Sequence, residues 1–278
     1  MLTATLLALG AALLHASWNL LVKLSDDRWI ALWAMSIVAG AIALVALAVV
    51  AVVGDAPPAS ALPWAAASGG VQLVYLVFLG RAYDRGDFSV SYPVARGGGA
   101  LLAATGGVLL LGDHLSALSG AGVLVAAAGL SLLVVGQRGV DLAPALVVAA
   151  MIGTYTVIDA HGSRESESSA YALLVFIAIA ITTSLRGAAR GDAPRVLAAL
   201  RRDPRTYVVA GIASGLAYGM VLVAVRYAPV GYVTALRESS VVIAALVGWR
   251  YLGEGDGRRR MLAAVAVLIG LVLLVAGR

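Results

Sequence analysis

The sequence predicts an all-α integral membrane protein, with ten transmembrane helices arranged as two inverted five-helix repeats around a central cavity. Three observations predict it. The 278 residues are 61% hydrophobic and 13% charged, with a mean hydropathy of +0.95, whereas a soluble domain carries about a quarter charged residues. The apolar residues gather into ten continuous stretches, each near the roughly 20 residues that cross about 30 Å of hydrocarbon. Segments in the second half also echo segments in the first, in the same order.

The stretches are 2–24, 29–53, 62–83, 88–111, 116–136, 143–160, 169–186, 205–227, 230–252 and 259–276. They are continuously apolar and do not alternate with period two, which favours helices over barrel strands. Most connections are short, so consecutive helices are antiparallel neighbours. The exception is RGAARGDAPRVLAALRRDPR, between the seventh and eighth segments. It is arginine-rich and has the composition of a short amphipathic helix lying at the membrane surface. The chain contains no cysteine, so neither a disulfide framework nor a cysteine-ligated metal site is expected. No basic region precedes the first apolar run, which argues against a cleaved signal peptide.

The clearest internal match slides 94–113, VARGGGALLAATGGVLLLGD, onto 235–254, ALRESSVVIAALVGWRYLGE. It pairs Arg96 with Arg237, Gly107 with Gly248, Gly112 with Gly253 and Asp113 with Glu254. Earlier in each half LHASWNLLVK aligns with MIGTYTVIDA, pairing Trp18 with Tyr155 and Asn19 with Thr156. The repeats are therefore 1–140 and 141–278. Five is odd, so the second copy enters the membrane upside down, the architecture of many secondary transporters. Of the 20 Lys and Arg residues, Arg164, Arg226 and Arg278 fall in even-numbered connections or at the C-terminal end. Arg96 and Arg237 lie inside segments, and the other fifteen fall in odd-numbered connections. The positive-inside rule then places the odd connections in the cytoplasm and both termini outside a cell membrane. It also accounts for the net charge of +5 without nucleic acid.

Polar residues inside the segments mark the candidate site. In the first segment His15, Trp18 and Asn19 share one helical face, and Lys23 near its end can snorkel to the interface. The third offers Gln72 and Tyr75. In the fourth, Ser89, Tyr92, Arg96 and Gly99 recur at helical spacing. Pro93 there removes a backbone donor, and Gly97, Gly98 and Gly99 allow close approach of a neighbour or ligand. The sixth carries Tyr155, Thr156 and Asp159. The eighth has Ser214 and Tyr218 on one face, and a ridge of Gly211, Gly215 and Gly219 suited to packing in the bundle or to a homodimer.

The ninth segment holds Thr234, Arg237, Glu238, Ser239 and Ser240. Charges at membrane depth are expensive and face an interior or a watery cavity. Arg96 and Arg237 each sit about eight residues into helices entering from opposite sides. Each is therefore roughly 12 Å deep, and the two bracket the midplane about 6 Å apart along the normal. A guanidinium fork suits a carboxylate or phosphate. The expected substrate-binding set is Arg96, Arg237, Tyr92, Trp18, Asn19, Ser239, Ser240, Gln72, Tyr75, Tyr155 and Tyr218. Glu238, His15 and Asp159 are the coupling or gating candidates. The competing account is structural: a static Arg–Glu pair, and polar side chains that hydrogen-bond between helices.

No GxxxxGK[ST], HExxH or GxSxG motif occurs, so neither ATP nor hydrolytic chemistry is indicated, and no cofactor or metal is expected. At this point SYPVARGGG with LLLGD, ALRESSVVIAALVGWRYLGE and HASWNLLVK resemble the EamA family of drug/metabolite transporters. The resemblance spans nearly the whole chain. It implies ten helices around a central cavity, alternating access, and movement of small metabolites such as amino acids. It also implies that basic residues serve anionic substrates in the phosphate-antiporting relatives. The first half departs from the pattern in ending LGD, at Asp113, where LGE is usual. Many relatives are also taken to have cytoplasmic termini, the reverse of the charge count here.

The reading is a secondary transporter of a small anionic or zwitterionic metabolite (an amino acid, or an organic phosphate or phosphonate), with proton or counter-substrate coupling. Two alternatives stay open. One is an exporter of cationic or hydrophobic drugs with Glu238 as counter-ion; the other is a non-transporting membrane sensor or assembly subunit.

Overall fold

Long apolar runs fold here as helices, because a backbone in lipid must satisfy its own hydrogen bonds. The computed structural model describes residues 2–54, 56–111, 116–134, 141–166, 168, 170–224, 227 and 236–277. Among them every regular element is helical. The helices are α1 (Leu2–Leu24), α2 (Arg28–Val52), α3 (Ala61–Arg85), α4 (Phe88–Leu111), α5 (Ala117–Val134), α6 (Ala143–Ser166), α7 (Tyr171–Ala189), α8 (Ala193–Arg202), α9 (Pro204–Ala224), α10 (Ser240–Arg250) and α11 (Gly257–Ala276). Seven of these, α1, α2, α3, α5, α6, α7 and α11, are long and apolar enough to cross a membrane. Large apolar side chains such as Leu6, Val45, Leu124 and Leu262 point outward, as lipid-facing positions do. The chain is a multi-pass membrane protein.

Two features differ from a plain ten-helix reading. The arginine-rich connection forms α8, with Pro194 in its first turn and Arg201 and Arg202 in its last. It buries Val196 against Ile30 and Trp33 of α2. The ninth segment is not one continuous helix. Leu236 and Arg237 are helical, the chain turns at Glu238–Ser239, and α10 starts at Ser240. Tight i to i+3 bonds mark the turn, from Ser239 N–H to the Leu236 carbonyl and from Val241 N–H to the Glu238 carbonyl. Thr234 lies outside the described residues, as do Asp113 and Arg226. By contrast α4 continues through Pro93.

Helix pairing relates the two halves. α2 packs on α7, α4 on α10 and α5 on α11, each an element of one half against an element of the other. Further large contacts also join the two halves: α4 with α6, α3 with α6, α1 with α9, α3 with α7 and α2 with α9. Small residues permit the closest of these. A Cβ on Gly122 would lie 2.3 Å from the Leu274 backbone nitrogen, and one on Gly270 the same distance from that of Ala126, so α5 and α11 touch backbone to backbone. Gly98 and Gly99 bring α4 against Ala149 and Ile152 of α6, which means they serve helix packing. In the α9 ridge Gly211 packs on Val38 of α2, whereas Gly215 and Gly219 have open space beside them.

Candidate functional site

α4 delivers Arg96 and the turn before α10 delivers Arg237 and Glu238 to one buried point. Arg96 forms an ion pair with Oε1 of Glu238. Arg237 approaches the same oxygen at 3.5 Å, while Oε2 is buried without a hydrogen-bond partner. The Glu238 side chain is 4% exposed and that of Arg96 10%, but Arg237 is 33% exposed. Two cations thus share one carboxylate, and the more accessible cation has the looser contact. Among the described residues no other acid pairs with either arginine.

Around this centre α1 contributes His15 and Trp18, whose rings meet edge-on at 5.0 Å, and His15 lies 6.2 Å from the Tyr92 ring of α4. Tyr92 and Ser240 face each other. Tyr75 of α3 and Tyr155 of α6 meet edge-on at 5.8 Å, within electrostatic reach of Arg96. Several buried polar atoms here lack a protein partner: Nε2 of His15, Nε1 of Trp18, Nε of both arginines and the Ser239 hydroxyl. Native interiors leave few such groups, and these gather at one place.

Not every expected residue presents a free polar group to this centre. The side chain of Asn19 donates to the His15 carbonyl (2.8 Å) and accepts from the Tyr83 hydroxyl (2.7 Å), so it locks α1 to α3. Gln72 donates to Ser68 one turn back at 3.0 Å. Asp159 accepts from Tyr171 of α7 at 3.2 Å and pairs with Ser68. These form a second polar cluster near the start of α3, the end of α6 and the start of α7. Tyr218 packs against Phe176 and is within electrostatic reach of Asp159 and Arg237.

The two sides of the centre differ in burial. On the side of the arginine-rich connections, Tyr83 meets Phe88 edge-on and Phe88 meets Tyr92 at a tilt, and all three are buried. Beyond them lies a network that sequence reasoning missed. Glu254 accepts from the backbone N–H of Phe88 (2.6 Å) and Ser89 (2.7 Å), capping α4, as a carboxylate does at a helix N-terminus. Arg260 of α11 bonds Asp87 (2.6 Å) and the Ser89 hydroxyl (2.6 Å), and lies 3.5 Å from Glu254. Lys23 closes the rim by donating to the carbonyls of Tyr83 (2.7 Å) and Gly86 (2.8 Å). A left-handed Gly253, at φ +67, turns the chain so that Glu254 reaches back, past Gly248, where any Cβ would strike Glu254 and Ser89. The LGE ending of the repeated motif was the available signal. Arg260 was hidden in a run of three arginines that read simply as orientation charges. On the opposite side Tyr155 and Asp159 are only partly buried.

Comparison with known proteins supplies a family. No curated protein sequence matches the chain. Fifteen chains of known structure do match by fold. One crystal structure covers 98% of this chain and 95% of its own at a TM-score of 0.56 and 18% identity, a likeness of fold alone. The model of the EamA-like transporter family matches residues 142–276, the second of the two halves. With seven helices long and apolar enough to cross a membrane among the described residues, the second half of the chain, residues 142–276, belongs to the EamA-like transporter family of the drug/metabolite transporter superfamily.

Proposed function

We propose that this protein is a secondary transporter of a small anionic or zwitterionic metabolite, bound between Arg96, Arg237 and the start of α10. One observation carries the reading: two buried or half-buried arginines share a single carboxylate, so the centre has one positive charge in excess. An acidic group on a substrate offsets it. The guanidinium of Arg237, loosely held and partly exposed, is the group positioned to receive that acid as a charge-assisted fork. The interruption at Glu238–Ser239 adds the N-terminal end of α10, whose backbone dipole favours an anion, as at broken helices in other carriers. Trp18, Tyr92, Tyr75 and Tyr155 form apolar walls with polar tips, suited to a small metabolite backbone.

Alternating access needs the buried side to open. In this reading the halves are inverted repeats, the aromatic cluster of Tyr83, Phe88 and Tyr92 is the inner gate, and the Glu254–Arg260–Asp87 network is its latch. Glu238 couples the two states by exchanging Arg96 or Arg237 for a proton or for substrate. A ligand drives the exchange by its differential affinity for the two conformations. A cationic drug is disfavoured by the excess positive charge.

The test is a thermal-stability screen on purified protein with amino acids, organic phosphates and phosphonates, and lipophilic cations, repeated with Arg96→Gln and Arg237→Gln. A ligand at about 100 times its dissociation constant stabilises the folded state by about 2.7 kcal/mol. Stabilisation by one anionic or zwitterionic class, lost in both variants, is the expected result. Stabilisation by cations alone would overturn the proposal.

A further inference from the structure

Away from the central site, a cavity of about 410 Å³ opens at the arginine-rich end of α2, α3 and α7, roofed by the start of α8. Five arginines and four aspartates line it. Most of these charges are matched. Arg28 pairs with Asp84 at 3.2 Å, and Arg195 pairs with Asp27 and, at 2.8 Å, with Asp192. Arg190 lies 3.9 Å from Asp192. Two cations remain over. Arg186 lies with its guanidinium 4.0 Å above the Trp29 ring, and its Nη1 is buried without a hydrogen-bond partner. Arg81 rests 4.8 Å over Phe78. Neither forms an ion pair among the described residues; Arg190 and Arg81 are close enough to Arg186 to repel it, and Asp192 offsets this in part. With Asp26 also in the lining, the five arginines exceed the four aspartates by one positive charge. Packing like charges beside one another is unfavourable unless an anion joins them.

We infer that this cavity is a binding site for a phosphate group, supplied by the headgroup of an anionic lipid in the arginine-rich leaflet. The shared chemistry is a phosphate held in the forks of Arg81 and Arg186. The surroundings favour a lipid as its source. Arg186 lies in the last turn of α7, level with the helix ends, where headgroups sit. Ile181 and Leu185 on the same helix and Leu197 on α8 are exposed and provide apolar surface for acyl chains. Basic pockets between helices of this kind hold anionic headgroups. The site is independent of the transport centre, because no residue is shared.

The experiment uses full-length protein purified in an uncharged detergent and depleted of lipid. Phosphatidylglycerol, phosphatidylcholine and inorganic phosphate are each titrated while the midpoint of thermal unfolding is followed. Four proteins are compared: wild type, Arg81→Gln, Arg81→Gln with Arg186→Gln, and Arg201→Gln with Arg202→Gln on the exposed face of α8. Phosphatidylglycerol is expected to raise the wild-type midpoint where phosphatidylcholine does not. Apparent affinity should fall by about tenfold or more in the double arginine variant, the loss of charge-assisted bonds, and remain in the α8 variant. Arg81 is exposed, so its single variant keeps the test open if the double variant does not fold; it should show an intermediate loss. Equal losses in the two double variants would mean diffuse surface charge and overturn the site. An undiminished response in Arg81→Gln together with its double variant would do the same. A wild-type response to inorganic phosphate equal to that to phosphatidylglycerol would overturn the lipid source.

Discussion

Replacing Glu254 by alanine should loosen the cap on α4 by a calculable amount. The carboxylate accepts two backbone N–H groups of α4 and the Ser89 hydroxyl, and lies near the buried Arg260. Loss of an N-cap costs about 1 kcal/mol, and hydrogen bonds to a charged group about 1.5–3 kcal/mol each, without full additivity. Arg260 keeps Asp87 and Ser89, so the larger penalty of about 3–5 kcal/mol for a stranded buried charge does not apply. The Glu254→Ala penalty is then about 3–4 kcal/mol. Glu254→Gln keeps one neutral acceptor for the same amides and should cost about half as much. The assay is hydrogen exchange at the Phe88 and Ser89 amides, with equilibrium unfolding of the purified protein as a second readout. An opening eased by about 3 kcal/mol speeds exchange on the order of a hundredfold. If alanine and glutamine behave alike within about 0.5 kcal/mol, and neither amide exchanges faster, the carboxylate is not the latch.

Other predictions follow from the same geometry. Asn19→Ala strands the buried Tyr83 hydroxyl and should cost about 1–3 kcal/mol in unfolding measurements, with ligand affinity unchanged, because Asn19 already has its partners. Gly122→Ala places a Cβ against the α11 backbone and should destabilise by about 1–3 kcal/mol. Gly215→Ala meets nothing and should stabilise α9 by about 0.5–1 kcal/mol; denaturation of the pair checks both signs. The hydrogen bond from Arg85 to Asp141 (2.9 Å), helped by the Ala143 N–H, holds that exposed carboxyl below its ordinary value. Its tethering contribution is present above the unfolded value of about 3.9 and is lost as pH falls through the lower folded one. Carboxyl NMR of Asp141 should give a midpoint below about 3.9 that rises in Arg85→Gln.

Much of this organisation was legible in the residues. Hydropathy placed the apolar helices other than α10 to within about six positions, and the alanine-rich, arginine-studded stretch before the eighth segment announced α8. The equivalence of Arg96 and Arg237 led to the ionic centre, since charges at membrane depth need each other or a cavity. The interruption at Glu238–Ser239 was not legible, because an apolar run with one ion pair has the same composition whether its backbone continues or turns. Asn19 was expected among the substrate-binding residues, yet its side chain is taken up by Tyr83, 64 positions away, and no local spacing reports that. Glu254 likewise read only as the end of a repeated motif, and Arg260 as an orientation charge, until the fold brought α4 to them.

The central claim, one excess positive charge that receives an acidic group, has a direct test in the opposite signs of two neutralising substitutions. Binding of the anionic or zwitterionic ligands that stabilise the wild type would be measured calorimetrically in Arg237→Gln and Glu238→Gln. Removing Arg237 cancels the excess charge and should weaken binding by about tenfold or more, the worth of a charge-assisted hydrogen bond. Removing the Glu238 charge raises the excess to two and should preserve or tighten binding in protein that remains folded. The reverse result, affinity lost in Glu238→Gln and kept in Arg237→Gln, would contradict the account and make the carboxylate the ligand-binding group.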